Sequence, residues 1–170
     1  MSETVSTADL CVHCGLCCTE ALFGWIPLVD PAERDRVATH GMAPPQLEGE
    51  RFVTPCCFVR DRACTIYADR PASCRDFRCE VLVSAQDGAI PLPAALDTVR
   101  KAVELHQAVL DKLPADTSLR AMRQRWKERE ATAQPSSPEE AQLRLAYYAL
   151  NLFLDRHFRP ADGELVERLD

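Results

Sequence analysis

Cysteine is the residue whose spacing in this chain could do chemistry. Four thiols fall within Cys11-Val12-His13-Cys14-Gly15-Leu16-Cys17-Cys18, and five more follow at Cys56, Cys57, Cys64, Cys74 and Cys79. Ionised, each is a soft anionic donor, and two thiols set two residues apart can be aimed by one tight turn at a single ion. An isolated cysteine serves a core as a small apolar filler, but four in so short a stretch exceed what packing asks for. Zinc takes four donors in a tetrahedron, and an iron–sulfur cubane takes one thiolate per iron. Nine thiols exceed either need. Three allocations follow: two four-ligand sites, one four-ligand cluster with spare thiols, or a polynuclear centre that shares ligands. Spacing does not choose among them, nor between the adjacent Cys56 and Cys57.

Other polar residues flank these thiols. Arg70, Arg75 and Arg78 interleave with Cys74 and Cys79, where guanidinium charge would stabilise thiolates and lower their pKa values. The bland alternative is a solvated surface role. His13 lies inside the first cysteine group but is expected to point outward. His106 and His157 fall on apolar helical faces, either as hydrogen-bonded core residues or as a second, nitrogen-rich site. His40 suits a helix C-terminus. The sequence holds no Gly-rich phosphate loop, no Gly-x-Ser-x-Gly and no His-Glu-x-x-His, so the common hydrolase and nucleotide-binding signatures are missing.

The elements that must position the thiols are read from caps and periodicity. Ala21 to Val29 reads as a strand or packing loop that roofs the cysteine site. Asp30-Pro31-Ala32-Glu33 starts a helix to about His40, with Glu33 reaching back to the cap and Gly41 closing it. Met42 to Glu50 reads as a loop, and Arg51 to Thr54 as a short strand. Regular structure should be thin through the second cysteine group, where a metal would supply cohesion. Glu80 to Ala85 reads as a short helix ending near Gly88.

From Pro93, Leu96, Val99, Val103, His106, Leu110 and Leu113 recur on one helical face up to Pro114. A second helix has Leu119, Met122 and Trp126 on its buried face and its basic residues in water. A linker at 132–136 precedes the capping box Ser137-Pro138-Glu139-Glu140 and a long helix. Leu143, Tyr147, Leu150, Leu154 and His157 share one face of that helix, while Leu145, Tyr148 and Leu152 predict burial on other sides too. The expected architecture is mainly α: an irregular, metal-organised, cysteine-rich N-terminal half packed on about three C-terminal helices. Residues 1–170 read as a single domain, with a cysteine-cluster region over 10–90, a helical region over 91–158 and a tail over 159–170.

The chain as a whole narrows the options. Its 170 residues suit one core. A net charge of −6 without a long Lys/Arg run gives no clear nucleic-acid footprint. The polar start Met1 to Asp9 lacks the features of a secretory leader, and the longest apolar run, broken by Gly24 and Pro27, is too short to span a membrane. A cytoplasmic location with no membrane partner is therefore expected. In a reducing compartment the odd number of cysteines reads as free or metal-bound thiols rather than a disulfide framework.

The pattern Cys11-x2-Cys14-Gly15-x-Cys17-Cys18, followed by Cys64-Thr65-Ile66-Tyr67, Arg70-Pro71-x2-Cys74-Arg75-x-Phe77 and Cys79, resembles the YkgJ-like CxxCxxCC family of zinc- or iron-chelating domains. The resemblance covers roughly the first half of the chain. It implies eight ligand candidates: Cys11, Cys14, Cys17, Cys18, Cys56, Cys64, Cys74 and Cys79. Cys57 stands where that family usually has proline. The function this implies is chelation of an iron–sulfur cluster or zinc. The alternatives are a redox enzyme or electron carrier using such a cluster, and a zinc-stapled interaction module. The module would dock a partner on the basic helix around Arg120, Arg123, Arg125, Lys127 and Arg129.

Overall fold

The computed structural model describes residues 6–44, 46–131 and 137–160. The fold is mainly α, with seven α-helices among the described residues. Helix α1, Thr7–Cys14, carries the first two cysteines, where the sequence reading had only a turn. Its start is encoded in Ser6-Thr7-Ala8-Asp9: the Ser6 amide donates to the Asp9 carboxylate at 2.6 Å, half of a capping box. Gly15 ends the helix at φ 66°, and a 3-10 turn over Leu16–Cys18 follows. A Cβ on Gly15 would also lie 3.0 Å from the Arg62 Cβ. Glycine is thus required both by the left-handed backbone and by the close approach of a distant loop.

Strand β1, Trp25–Pro27, lies in the expected packing stretch and pairs antiparallel with β3, Arg51–Val53, with Ile26 opposite Phe52. The segment before β3 is not all loop: β2, Leu47–Glu48, pairs with its other edge. Helix α2, Pro31–Thr39, begins as expected, with the Asp30 side chain accepting from the Glu33 amide at 2.8 Å. Glu33 itself does more than close a cap. Its buried carboxylate accepts from the Val29 amide at 2.9 Å and from the Ala72 amide at 2.7 Å, tying α2 to the second cysteine block.

That block is more ordered than a loop. Strands β4, Val59–Arg60, and β5, Ala63–Cys64, form a hairpin whose two turn residues, Asp61 and Arg62, take positive φ as a tight hairpin demands. Helix α3, Ala72–Asp76, packs on β1, and α4, Glu80–Gln86, packs on α1.

In the helical half, α5, Leu92–Leu110, packs against both α1 and α7, Pro138–His157. The seam of α5 is Ala95, Val99, Ala102 and Val109, not the leucine-centred face read from the sequence; Leu96 and Val103 flank it and Leu110 is exposed. Small alanines let α5 approach closely, and a reading weighted to large side chains misses them. Helix α6, Leu119–Ala131, buries Leu119, Met122 and Trp126 as expected, but also Arg123. Helix α7 buries Leu143, Tyr147, Leu150 and Leu154 behind a Ser137 cap. Its other faces are not buried: Leu145 is 70% exposed, Tyr148 54% and Leu152 71%. The linker at 132–136 and the tail beyond Pro160 lie outside the described residues.

Candidate metal centre

Eight cysteines line one cavity of about 440 Å³, between α1, the β4–β5 hairpin, α3 and the start of α4. Cys11 and Cys14 sit on α1, Cys17 and Cys18 in the 3-10 turn, Cys56 just before the hairpin, Cys64 on β5, Cys74 on α3 and Cys79 at the start of α4. Cys57 does not line it. All nine are free thiols, and Cys11 is the most exposed. Phe23, Trp25, Ile26, Phe52, Phe58 and Phe77 wall the same space, so the stretch expected to roof the thiols contributes to the lining. Among the described residues, no three His, Cys, Asp or Glu side chains close on one point as a ready ligand triad. The thiols instead ring a volume.

Burial sets the electrostatics. Desolvation raises the Cys14 thiol from its ordinary 9.0 to about 12, Cys18 to about 11, and Cys56 and Cys74 to about 12. Cys17 is pushed well above 9.0 by desolvation and then by its thiol neighbours. Each of these groups is disfavoured as an isolated anion, so a cation is what would hold them ionised together.

The protein supplies part of that compensation. The Cys14 sulfur accepts a backbone amide hydrogen bond from Leu16, Cys56 from Phe58, and Cys79 from Leu82 and Val81. Arg70 acts on Cys11, Cys18 and Cys74 against desolvation. It stacks at 3.8 Å on Tyr67, and its buried Nε has no hydrogen-bond partner in the protein. Arg78 also acts on Cys11. Arg75 instead donates to the Arg70 carbonyl at 2.8 Å, which makes it a brace for Arg70.

The cysteine-rich region matches one family model, CxxCxxCC, described as "Putative zinc- or iron-chelating domain", over residues 10–93. Residues 10–93 are a CxxCxxCC domain. No curated protein and no solved structure matches the chain.

The histidines stand apart from the thiol cavity of the CxxCxxCC domain. His13 is exposed in the last turn of α1. His40 pairs with Asp69 at 3.1 Å. Burial, and then the Arg62 charge, push the His106 imidazole below its ordinary value, and His157 packs on Phe153 at 4.5 Å. Among the described residues, nothing joins His106 to His157 as a second site.

Sequence reading missed the residues that clamp the CxxCxxCC domain to the helices. The Arg120 guanidinium donates to the Gly24 carbonyl, Arg123 to the Glu20 carbonyl at 3.4 Å, and Arg159 to the Ala21 carbonyl at 2.9 Å. The buried Glu20 carboxylate accepts from the Arg120 amide at 3.2 Å. Arg123 is therefore buried, where the sequence had placed the basic residues of α6 in water as a docking face, while Arg120 stays exposed yet is tied to Gly24. Three arginines converging on carbonyls of one short segment leave no periodic signature, so only the fold reveals them.

Proposed function

We propose that the chain is a metal-chelating protein whose ligands are Cys11, Cys14, Cys17, Cys18, Cys56, Cys64, Cys74 and Cys79, with Cys57 outside the set. The observation that carries this reading is the one cavity lined by those eight thiols and not by the ninth. The donor set fits in type and number: thiolates suit zinc and iron–sulfur clusters alike, and aromatic and aliphatic side chains make up much of the wall. The volume favours iron–sulfur clusters over bare zinc ions. A zinc ion sits in direct contact with its four sulfurs, at about 2.3 Å, and would leave most of 440 Å³ empty. When bound, such a cluster would supply one-electron redox chemistry, which accommodates an electron-carrier role. Residues 1–170 then act as one unit, the C-terminal helices buttressing the metal half.

The test is purification without oxygen or added metal, followed by measurement of zinc, iron and acid-labile sulfide per chain. Iron with matching sulfide is expected, together with a visible chromophore that bleaches on reduction. A colourless chain with stoichiometric zinc would replace the cluster with zinc, and no metal of any kind would overturn the reading.

A further inference from the structure

Resting on that reading, we propose that the eight cysteines form two separate four-thiolate centres, divided between the adjacent residues Cys17 and Cys18. One centre takes Cys11, Cys14, Cys17 and Cys79; the other takes Cys18, Cys56, Cys64 and Cys74.

The backbone builds the two sets from different elements. Cys11 and Cys14 lie three residues apart on one face of α1. The left-handed Gly15 turns the chain back so that Cys17 follows them, and Cys79 stands at the start of α4, which packs on α1. The second set hangs on the hairpin. The Cys18 carbonyl accepts the Cys56 amide at 2.8 Å, Cys64 pairs with Val59 across β4 and β5, and Cys74 sits on α3. The switch falls in the 3-10 turn Leu16–Cys18. With three residues per turn, consecutive side chains there diverge by about 120°, so Cys17 and Cys18 cannot face the same centre equally.

The charge effects among the thiols follow the division for the most part, with Cys18 at its border. Cys18 and Cys64 both act on Cys56 and on Cys74, and Cys79 and Cys11 both act on Cys14 and on Cys17. Cys18 also acts on Cys14 and Cys17 and is itself acted on by Cys64 and Cys11. Arg70 stands between the sets, acting on Cys11 from one and on Cys18 and Cys74 from the other. A guanidinium in that place relieves the repulsion between two anionic centres that a single centre would not create. The spacing also has a general precedent: in the bacterial two-cluster ligand run, the last cysteine of the run serves the other cluster.

The experiment counts metal per chain in anaerobically purified variants. Cys14→Ala and Cys64→Ala should each retain half of the wild-type metal. Cys14→Ala with Cys79→Ala, inside one set, should still retain half, and Cys14→Ala with Cys64→Ala, across the sets, should retain none. A single variant that loses all metal, or an inside-set pair that loses all of it, overturns the division. Because a variant can fail to fold, the wild-type chain is also loaded with NMR-active cadmium. Two cadmium resonances are expected, each coupled to the β-protons of one set of four cysteines; one resonance, or a cysteine coupled to both ions, overturns the division. A wild-type chain that binds no metal refutes chelation itself, whereas a loaded chain with one centre refutes only the partition.

Discussion

The two halves of this chain reach order by different routes. In the helical half, α5 and α7 meet along Ala95, Val99, Ala102 and Val109 on one side and Leu143, Tyr147, Leu150 and Leu154 on the other. Hydrophobic burial holds those helices together without further help. In the cysteine half the longest helix has nine residues and the strands two or three. Its buried apolar side chains, among them Leu10, Leu16, Leu22, Phe23, Val37 and Phe52, come from short elements and turns, and a ring of thiols borders a cavity beside them. Short elements gain little from their own backbone hydrogen bonds and depend on such tertiary contacts. The contrast teaches that here metal would add to a core assembled from short pieces, not replace one.

The largest effect should therefore follow from removing the metal. Structural zinc in small thiolate sites contributes an apparent binding free energy of about 10–16 kcal/mol. A strong chelator should release amide protection in α3, the β4–β5 hairpin and the 3-10 turn while α5 and α7 keep theirs, as hydrogen exchange would show. Simultaneous loss of protection in both halves would erase the distinction between them.

The pH response should run in opposite directions for loaded and metal-free protein. In the metal-free chain the thiol pKa values are raised above 9.0 in the folded state, to about 11 for Cys18 and about 12 for Cys14, Cys56 and Cys74. The stability linked to them is complete below pH 9 and is lost as pH rises toward 12. In the loaded chain the ligands are already thiolates, so falling pH returns protons and expels metal. Melting temperature measured against pH with and without metal should show slopes of opposite sign; parallel curves would mean that the thiols are not ligands.

Next in size is Leu150→Ala. Leu150 is fully buried at the centre of α7, and truncation of such a residue costs about 2–5 kcal/mol. Denaturant unfolding should register that loss in the helical half whether or not metal is bound.

Much of this contrast was legible in the sequence. The cap at Ser137 and the Leu143, Tyr147, Leu150, Leu154 series fixed α7, and Asp30-Pro31 fixed the start of α2, because local hydrogen bonding and periodicity act over a few residues. The cysteines announced a thiol-rich site for the same reason: reactive side chains at tight spacing have few other uses. What escaped was non-local. The burial of Arg123, the tie from Arg120 to Glu20 and the bridge from Glu33 to Ala72 all depend on segments 39 to 103 residues apart meeting in space. The helix at Thr7–Cys14 was missed for another reason. Its capping residues were visible, but the cysteine spacing was read as a turn.

Glu33→Gln tests one of those hidden joints. The change keeps the shape but replaces one carboxylate oxygen by a donor, which leaves either the Val29 or the Ala72 amide without an acceptor. An unsatisfied buried amide costs about 1–3 kcal/mol. The loss should appear as weaker metal retention under chelator competition, since α3 carries Cys74. A change confined to global stability, with metal retention untouched, would show that α2 does not hold the cysteine half in place.

The smallest effect should come from Leu152→Ala, two residues beyond Leu150 on the same helix. The two positions share residue type, helix and neighbourhood, so the helical propensity of alanine enters both equally. They differ in environment: Leu150 is 0% exposed and Leu152 71%. A surface truncation of this kind stays within about 0.5 kcal/mol, several-fold below the loss at Leu150. Equal losses at the two sites would mean that the outer face of α7, with Leu145 and Tyr148, is covered by something in solution, and the helical half would then owe part of its order to a partner, as the cysteine half does to metal.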